Sequence, residues 1–183
     1  MDSDELTIRH YLKSRFENTF EDRVRRSLEI RSQAIIPHHH FTQASTECVY
    51  LYRDGYFLAT AMATQALNEA IIRFVAERNG IPPNQEPPPE LVALFATQGI
   101  VSNGCVDAMH RILRSFRNDF HHLNPSIAKV PVEVIAKRNI EDIAMIEGEL
   151  FEHSSHEGKL SPKHEQYWNV NTDGTILVNL RPG

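Results

Sequence analysis

The run from Thr46 to Asn79 constrains this chain most, because Tyr52, Tyr56, Ala59, Ala63, Ala66, Ala70 and Phe74 recur along it three or four residues apart. That period marks one face of a long helix, and Gly80 stands where a C-terminal cap belongs. The alanines allow neighbouring helices to approach closely, so the segment is expected at the centre of a helical domain. Gln65, Asn68 and Glu69 put polar groups in its middle, where each must meet water or a hydrogen-bonding partner.

The flanking segments read as further helices. Leu6, Ile8, Leu12, Phe16, Phe20, Val24, Leu28 and Ile35 recur mostly four apart over residues 4–35, after Ser3-Asp4-Glu5, and predict a first helix that Pro37 stops. Its Arg9, Lys13, Arg15, Arg23, Arg25, Arg26 and Arg31 read as a solvated face paired with the acids of the same segment. His38-His39-His40 reads as an exposed polar turn, since three consecutive side chains cannot all reach one metal from a regular element. The five prolines between Ile81 and Pro89 make a semi-rigid connector. A short helix over Glu90 to Gln98 ends at Gly99, and Ser102 or Asn103 starts a longer one reaching about His122.

Pro125 and Pro131 exclude regular helix between residues 124 and 131, and Asn139, followed by Glu141 and Asp142, resembles the N-cap of a last helix ending near His153. The tail changes character. Tyr167 to Val170 and Thr175 to Leu180 flank Asn171-Thr172-Asp173-Gly174, a hairpin signature. The expectation is an all-α fold, a four-to-five-helix up-and-down bundle with a short C-terminal β-hairpin. Residues 1–183 then form a single domain, with a core over about 4–153 and a linker plus hairpin tail over 154–183.

Composition narrows the function. A 183-residue chain suits one full core. No apolar run approaches the roughly 20 residues of a membrane span, and the acidic start Met1-Asp2-Ser3-Asp4-Glu5 is unlike a secretory signal, so the cytosol is the expected compartment and no membrane partner is expected. Cys48 and Cys105 each sit in an apolar helical pattern and read as small core residues. A net charge of -5 argues against bulk electrostatic binding of nucleic acid, so any such site must be local.

One local site stands out. On a helical wheel over residues 106–122, Val106, Met109, Ile112, Leu113, Phe116 and Phe120 share one arc, and His110, Arg114, Arg117 and His121 form a stripe beside it. Arg111 lies next to the stripe, and Asp107 and Asp119 lie outside it. Arginine offers a planar cationic fork for a phosphodiester, and histidine transfers protons near neutral pH. Together they suffice to cleave RNA without a metal: a base takes the ribose 2′-hydroxyl proton, the oxygen attacks the adjacent phosphorus, and cations stabilise the developing charge. Glu69 is a candidate to orient Arg117 through a bidentate pair.

The segment Arg117-Asn118-Asp119-Phe120-His121-His122, an arginine, a polar residue, three more residues and a histidine, resembles the signature of the HEPN superfamily. The all-helical pattern, the alanine-rich helix with internal polar residues and the position of the motif before a proline-broken loop are similar to that family too, over roughly residues 5–153. The resemblance implies a metal-independent endoribonuclease with no cofactor, of the kind found in toxin–antitoxin, abortive-infection and CRISPR-associated defence systems. It implies a homodimer that pairs two motifs in an active site at the subunit interface, and an antitoxin or regulatory protein as a further partner. Carried over, Arg117 contacts the scissile phosphate, Asn118 is the polar residue after it and His122 is the catalytic histidine. His121, Arg114 and His110 extend the RNA-binding groove.

Residues five apart on an unbroken helix point about 140° apart, so either the helix ends near residue 120 or a partner subunit supplies the second group. In one subgroup of the family a tyrosine follows the histidine by two residues. Position 124 is Asn here, which argues against silencing through modification of that tyrosine. The rival reading is a non-catalytic helical module that binds a nucleotide, RNA or a protein partner. His153 and His156 have a metal-compatible spacing without a second pair to complete it. No phosphate-cradling glycine loop, nucleophile elbow or zinc-finger pattern occurs.

Overall fold

The alanine-rich run does form the centre of the molecule, but it is two helices, and most of its alanine row faces solvent rather than the neighbouring helices: Ala59, Ala66 and Ala70 are exposed and Ala63 half-buried, while Ala61, Leu67, Ile71, Ile72 and Val75 are buried. The computed structural model describes residues 2–31, 35–37, 39–157 and 159–180, with the side chains of residues 39, 117, 118 and 121 outside the description. Helix α1 spans Ser3–Glu29, α2 His39–Arg53 and α3 Phe57–Arg78. The break between α2 and α3 falls at Asp54-Gly55-Tyr56, where Gly55 takes φ +84°. A glycine in a left-handed conformation costs nothing sterically, and an apolar period that continues on both sides conceals the turn. A Cβ built on Gly55 would lie 3.1 Å from Nη1 of Arg26, which is seated against the turn. Gly55→Ala is therefore expected to destabilise the fold by about 1–2 kcal/mol, read as a lower midpoint of thermal unfolding.

Helix α4 (Pro88–Gln98) starts on the last prolines of the connector and ends at Gly99, and α5 (Asn103–Leu113) is capped by Ser102, whose Oγ accepts from the Cys105 amide. A carboxylate of the last long helix, Glu149, accepts from the Ser102 amide at 2.6 Å and bonds its hydroxyl, tying the two helices together. Helix α6 is short, Arg117–His122, and a 3₁₀ turn follows over Pro125–Lys129. Helix α7 runs Val132–Leu150, so Asn139 lies inside it and caps nothing. The apolar period of Ile135, Ala136, Ile140, Ile143, Ile146 and Leu150, all buried, runs through Asn139 and sets the true start just after Pro131.

Around α3 pack α2, α4, α5 and α7, so the molecule is predominantly helical. The main core joins α2, α3, α4, α5 and α7 through Phe41, Ile71, Ile72, Val75, Leu91, Phe95, Met109, Ile112 and Ile146. Phe74 meets Phe41 edge-on at 5.2 Å and lies tilted at 6.5 Å from Phe151 and 6.0 Å from Tyr167, between ring centres. Such ring pairs add about 0.5–1.5 kcal/mol each beyond area burial. Cys48 and Cys105 are both buried and free, and burial pushes the Cys105 thiol up, as expected of core residues. No helix among the described residues is long and apolar enough to cross a membrane.

The small strands differ from the expected tail. β1 (Ile35–Ile36) pairs antiparallel with β4 (Asn179–Leu180), while β2 (His153–His156) and β3 (Lys159–Pro162) form a hairpin that the sequence pattern did not suggest. The turn at Asn171–Gly174 forms, closed by the Asn171 amide on the Thr175 carbonyl at 2.8 Å, but its arms keep the Val170–Ile176 bridge and a Leu177 amide on the Asn169 carbonyl at 3.4 Å in place of continuous strands. Tyr167 and Trp168 return into the main core, which makes this end of the chain more than an appendage.

The first helix departs most from expectation. It ends at Glu29 rather than continuing to Ile35, and its apolar residues Leu6, Ile8, Tyr11, Leu12, Phe16, Phe20, Val24 and Leu28 all stay exposed, with Leu12 and Phe16 beside Asp54 and Tyr56 in one groove. The helix docks through polar groups. Arg23 pairs with Asp54 at 2.7 Å, Arg26 donates to the Arg53 carbonyl at 3.2 Å and lies 5.0 Å over Phe57, and Arg15 donates to the Tyr56 hydroxyl at 2.5 Å. Glu29 accepts from the Tyr52 hydroxyl at 3.1 Å and pairs with Lys137 of α7 at 3.1 Å. Arg9–Glu5 at 2.8 Å and Arg25–Glu29 at 3.0 Å pair within the segment as anticipated, whereas Arg23 and the buried Arg26 turn to the bundle instead of joining a solvated face.

Candidate functional site

The helix expected to run from Asn103 to His122 breaks at Arg114-Ser115-Phe116, and tertiary hydrogen bonds cause the break. Gln65 of α3 donates to the Ser115 carbonyl at 2.7 Å and to its hydroxyl at 2.9 Å. Asn139 of α7 donates to the same hydroxyl at 3.2 Å and to the Thr64 hydroxyl at 3.1 Å, and Asn68 donates to the Met109 carbonyl at 3.1 Å. Thr64, Gln65, Asn68, Ser115 and Asn139 are all buried. A carbonyl satisfied from a neighbouring helix no longer needs the amide four residues on, so the chain can turn at no loss of buried hydrogen bonds. The polar residues inside the alanine-rich helix thus have their role: Gln65 and Asn68 hold the end of α5.

Beyond that turn α6 is a separate unit. Phe116 before it and Leu123 after it both take left-handed conformations, at φ 55° and 48°. Phe116, placed by the wheel with the core, is instead exposed, because the turn swings it outward. Phe120 is fully buried, and with Ala61 and Ile135 it forms a small satellite core that Leu58, Met62, Ile127, Val130 and Val132 complete. A single aromatic ring therefore anchors α6 against the first turns of α3 and the start of α7.

Asp119 holds the other side. It accepts from the Ser126 hydroxyl at 2.8 Å and from the Asn124 amide at 3.1 Å, and these bonds hold its carboxyl below the usual carboxylate range. A folded-state pKa below the unfolded one means that the stabilisation is complete above the ordinary carboxylate range and is lost as pH falls through the folded value. The backbone amides of Asn124, Ser126 and Ile127 are accordingly expected to lose protection from exchange below about pH 4, and Asp119→Asn should remove that dependence. Hydrogen exchange followed against pH reads both.

His122 ends α6 exposed to solvent, with no hydrogen bond or ion pair to any described residue. The side chains of Arg117, Asn118 and His121 lie outside the described set, as does any pairing of Arg117 with Glu69. Glu69 itself is half-buried on α3, one turn beyond Gln65. His110 is half-buried on α5; burial and then the Arg114 guanidinium hold it below the usual histidine range, so it is neutral at neutral pH. Arg114 is exposed. Arg111 is committed elsewhere, forking onto Asp142 of α7 at 2.6 and 3.1 Å. The continuous stripe drawn from one helical wheel is therefore cut in two, with His110 and Arg114 before the turn and positions 117 and 121 after it.

Because α6 stays helical from Arg117 to His122, it does not end near residue 120, and positions 117 and 122 stand about 140° apart on it. Among the described residues no group of three or more His, Cys, Asp or Glu is placed to hold a metal ion. His153 meets the Phe151 carbonyl at 3.0 Å and the edge of Trp168, while His156 points to solvent on the hairpin. Of the histidine run, His40 lies exposed in the first turn of α2, and residue 38 lies outside the described residues. The polar network that bends the chain before α6 was only half visible in sequence. Gln65 and Asn68 stand out in an apolar helix, whereas Asn139 imitated a cap.

No protein-family model, no curated protein and no solved structure matches this chain.

Proposed function

We propose that the chain is a metal-independent endoribonuclease in which Arg117, Asn118 and His122 act on a phosphodiester. The reading is supported by one observation above others: the segment bearing the arginine and histidine forms its own short helix, pinned from beneath by Phe120, with His122 open to solvent. In that role His122 takes the 2′-hydroxyl proton, the 2′-oxygen attacks the adjacent phosphorus, and the bond from phosphorus to the 5′-oxygen breaks. The products are a 2′,3′-cyclic phosphate and a 5′-hydroxyl, and Arg117 neutralises the charge that builds on the phosphate. Asn118 supplies a further polar contact.

Since positions 117 and 122 diverge on one helix, a second copy provides one of the two groups at each phosphate. His121, Arg114 and His110 extend the contact along the single-stranded RNA, and Glu69 orients Arg117. The setting that fits is a toxin or phage-defence system in which an antitoxin or regulator restrains the enzyme.

Purified protein stripped with EDTA and given a single-stranded RNA is expected to cut it, leave a cyclic phosphate, and spare the same sequence with a 2′-deoxy nucleotide at the cleavage site. Cutting that requires a divalent cation, or that proceeds on the deoxy substrate, overturns the reading. So does a wild-type protein that binds RNA and never cuts.

A further inference from the structure

We propose that α1 is a detachable strap: charge pairs and hydrogen bonds clamp it over the turn between α2 and α3, and it leaves the bundle as a unit while the rest of the chain stays folded. The first ground is what α1 lacks. No residue of Ser3–Glu29 belongs to either apolar core, and Arg26 is the one buried residue of the helix. At about 100° per residue, Leu12 and Phe16 share the bundle-facing side with Arg15, Thr19, Arg23 and Arg26. Even there they remain 56% and 48% exposed. The Phe16 ring meets Arg23 of its own helix, whose guanidinium lies 4.8 Å above it. Burial of apolar area, which holds α2, α3, α4, α5 and α7 to one another, therefore contributes little to holding α1.

The second ground is what α1 has instead. Arg15 bonds the Tyr56 hydroxyl, Arg23 pairs with Asp54, and Arg26 bonds the Arg53 carbonyl with its guanidinium over Phe57. Farther along, Arg25 reaches Glu133 at 3.7 Å, and Glu29 is held by Lys137 and the Tyr52 hydroxyl. Every one of these contacts falls between residues 15 and 29. The side chains of residues 3–14 bond only within α1, through Thr7 on Ser3, Arg9 on Glu5 and Lys13 on Glu17.

The clamp is open to water as well. Side-chain exposure is 23% and 28% for Arg23 and Asp54, and 40% and 25% for Lys137 and Glu29. Charge pairs of this kind contribute little each and are screened by salt, because both partners are well hydrated once they part. Elements with few buried apolar contacts and many solvent-accessible polar ones open at free energies far below that of global unfolding. A lone helix owes most of its stability to packing, so an undocked α1 frays and its amides exchange. Release uncovers Asp54, Tyr56 and Phe57 and frees Arg15, Arg23 and Arg26, two surfaces that the docked form holds face to face.

The strap does not rest on the RNA reading, and its test involves no RNA. Native-state hydrogen exchange of the full chain reads the release. Amides of α1 from Leu12 to Leu28 are expected to exchange at least about a hundredfold faster than those of Ile71 to Val75 in α3. Raising NaCl from about 0.05 to about 0.5 M should speed exchange in α1 about fivefold and in α3 less than twofold. Asp54→Asn, which takes the carboxylate from Arg23, should speed α1 about fivefold at low salt and shrink its response to salt. Lys13→Gln, whose pairing stays within α1, should leave exchange within about twofold of wild type.

Should Asp54→Asn fail to fold, Tyr56→Phe takes its place; it removes one exposed hydroxyl from Arg15 and should speed α1 about threefold. Exchange of α1 at the rate of α3, or exchange indifferent to salt and to loss of the Asp54 or Tyr56 contact, overturns the proposal. So do α1 amides already unprotected at low salt, which would mean that the helix never docks.

Discussion

Replacing His122 by alanine is expected to reduce RNA cleavage about a thousandfold while leaving the unfolding midpoint unchanged. The magnitude is that of a lost general acid or base, typically a hundredfold to ten-thousandfold. The unchanged stability follows from position: His122 is exposed at the end of α6 and bonds to no described residue, so its removal leaves no cavity and no orphaned partner. Cleavage assays on matched protein, with unfolding curves beside them, separate the outcomes. Equal loss of activity and stability would assign His122 a structural role and remove it from the chemistry.

Phe120→Ala is expected to do the reverse and the more. Phe120 is fully buried, and it is the large aromatic ring in the satellite core beneath α6, so its truncation should destabilise the fold by about 3 kcal/mol or more. For a chain of this size that lowers the unfolding midpoint by roughly 6–12 °C. Cleavage should fall with it even though His122 and Arg117 remain, because the helix that carries them loses its anchor. Phe120→Leu should recover most of both, since a leucine refills much of the apolar volume. An unchanged midpoint in Phe120→Ala would mean that α6 is not held through its aromatic ring.

The two variants divide the segment by function. Phe120 and Asp119 hold α6, through the satellite core on one side and Asn124 and Ser126 on the other. His122 is left open to solvent at the end of the helix. Gln65, Ser115 and Asn139 act earlier, by turning the chain so that α6 leaves the line of α5.

The sequence by itself determined the helical class, the closures at Gly80 and Gly99, the cap at Ser102 and the core role of both cysteines. These features are local: a three-to-four period, a capping hydroxyl or a motif depends on neighbours within a turn or two. The tertiary structure alone decided where the long periodic runs break. Apolar periodicity continues across Asp54–Tyr56 and across Arg114–Phe116, and nothing within one turn shows that Arg26 seats against Gly55 or that Gln65 and Asn139 satisfy Ser115. It likewise decided that Asn139 is an interior residue and that the apolar residues of α1 stay exposed. Hydrogen bonds between distant helices compete with the backbone ladder on equal energetic terms, so where they are buried they override local preference, and only the packed chain reveals them.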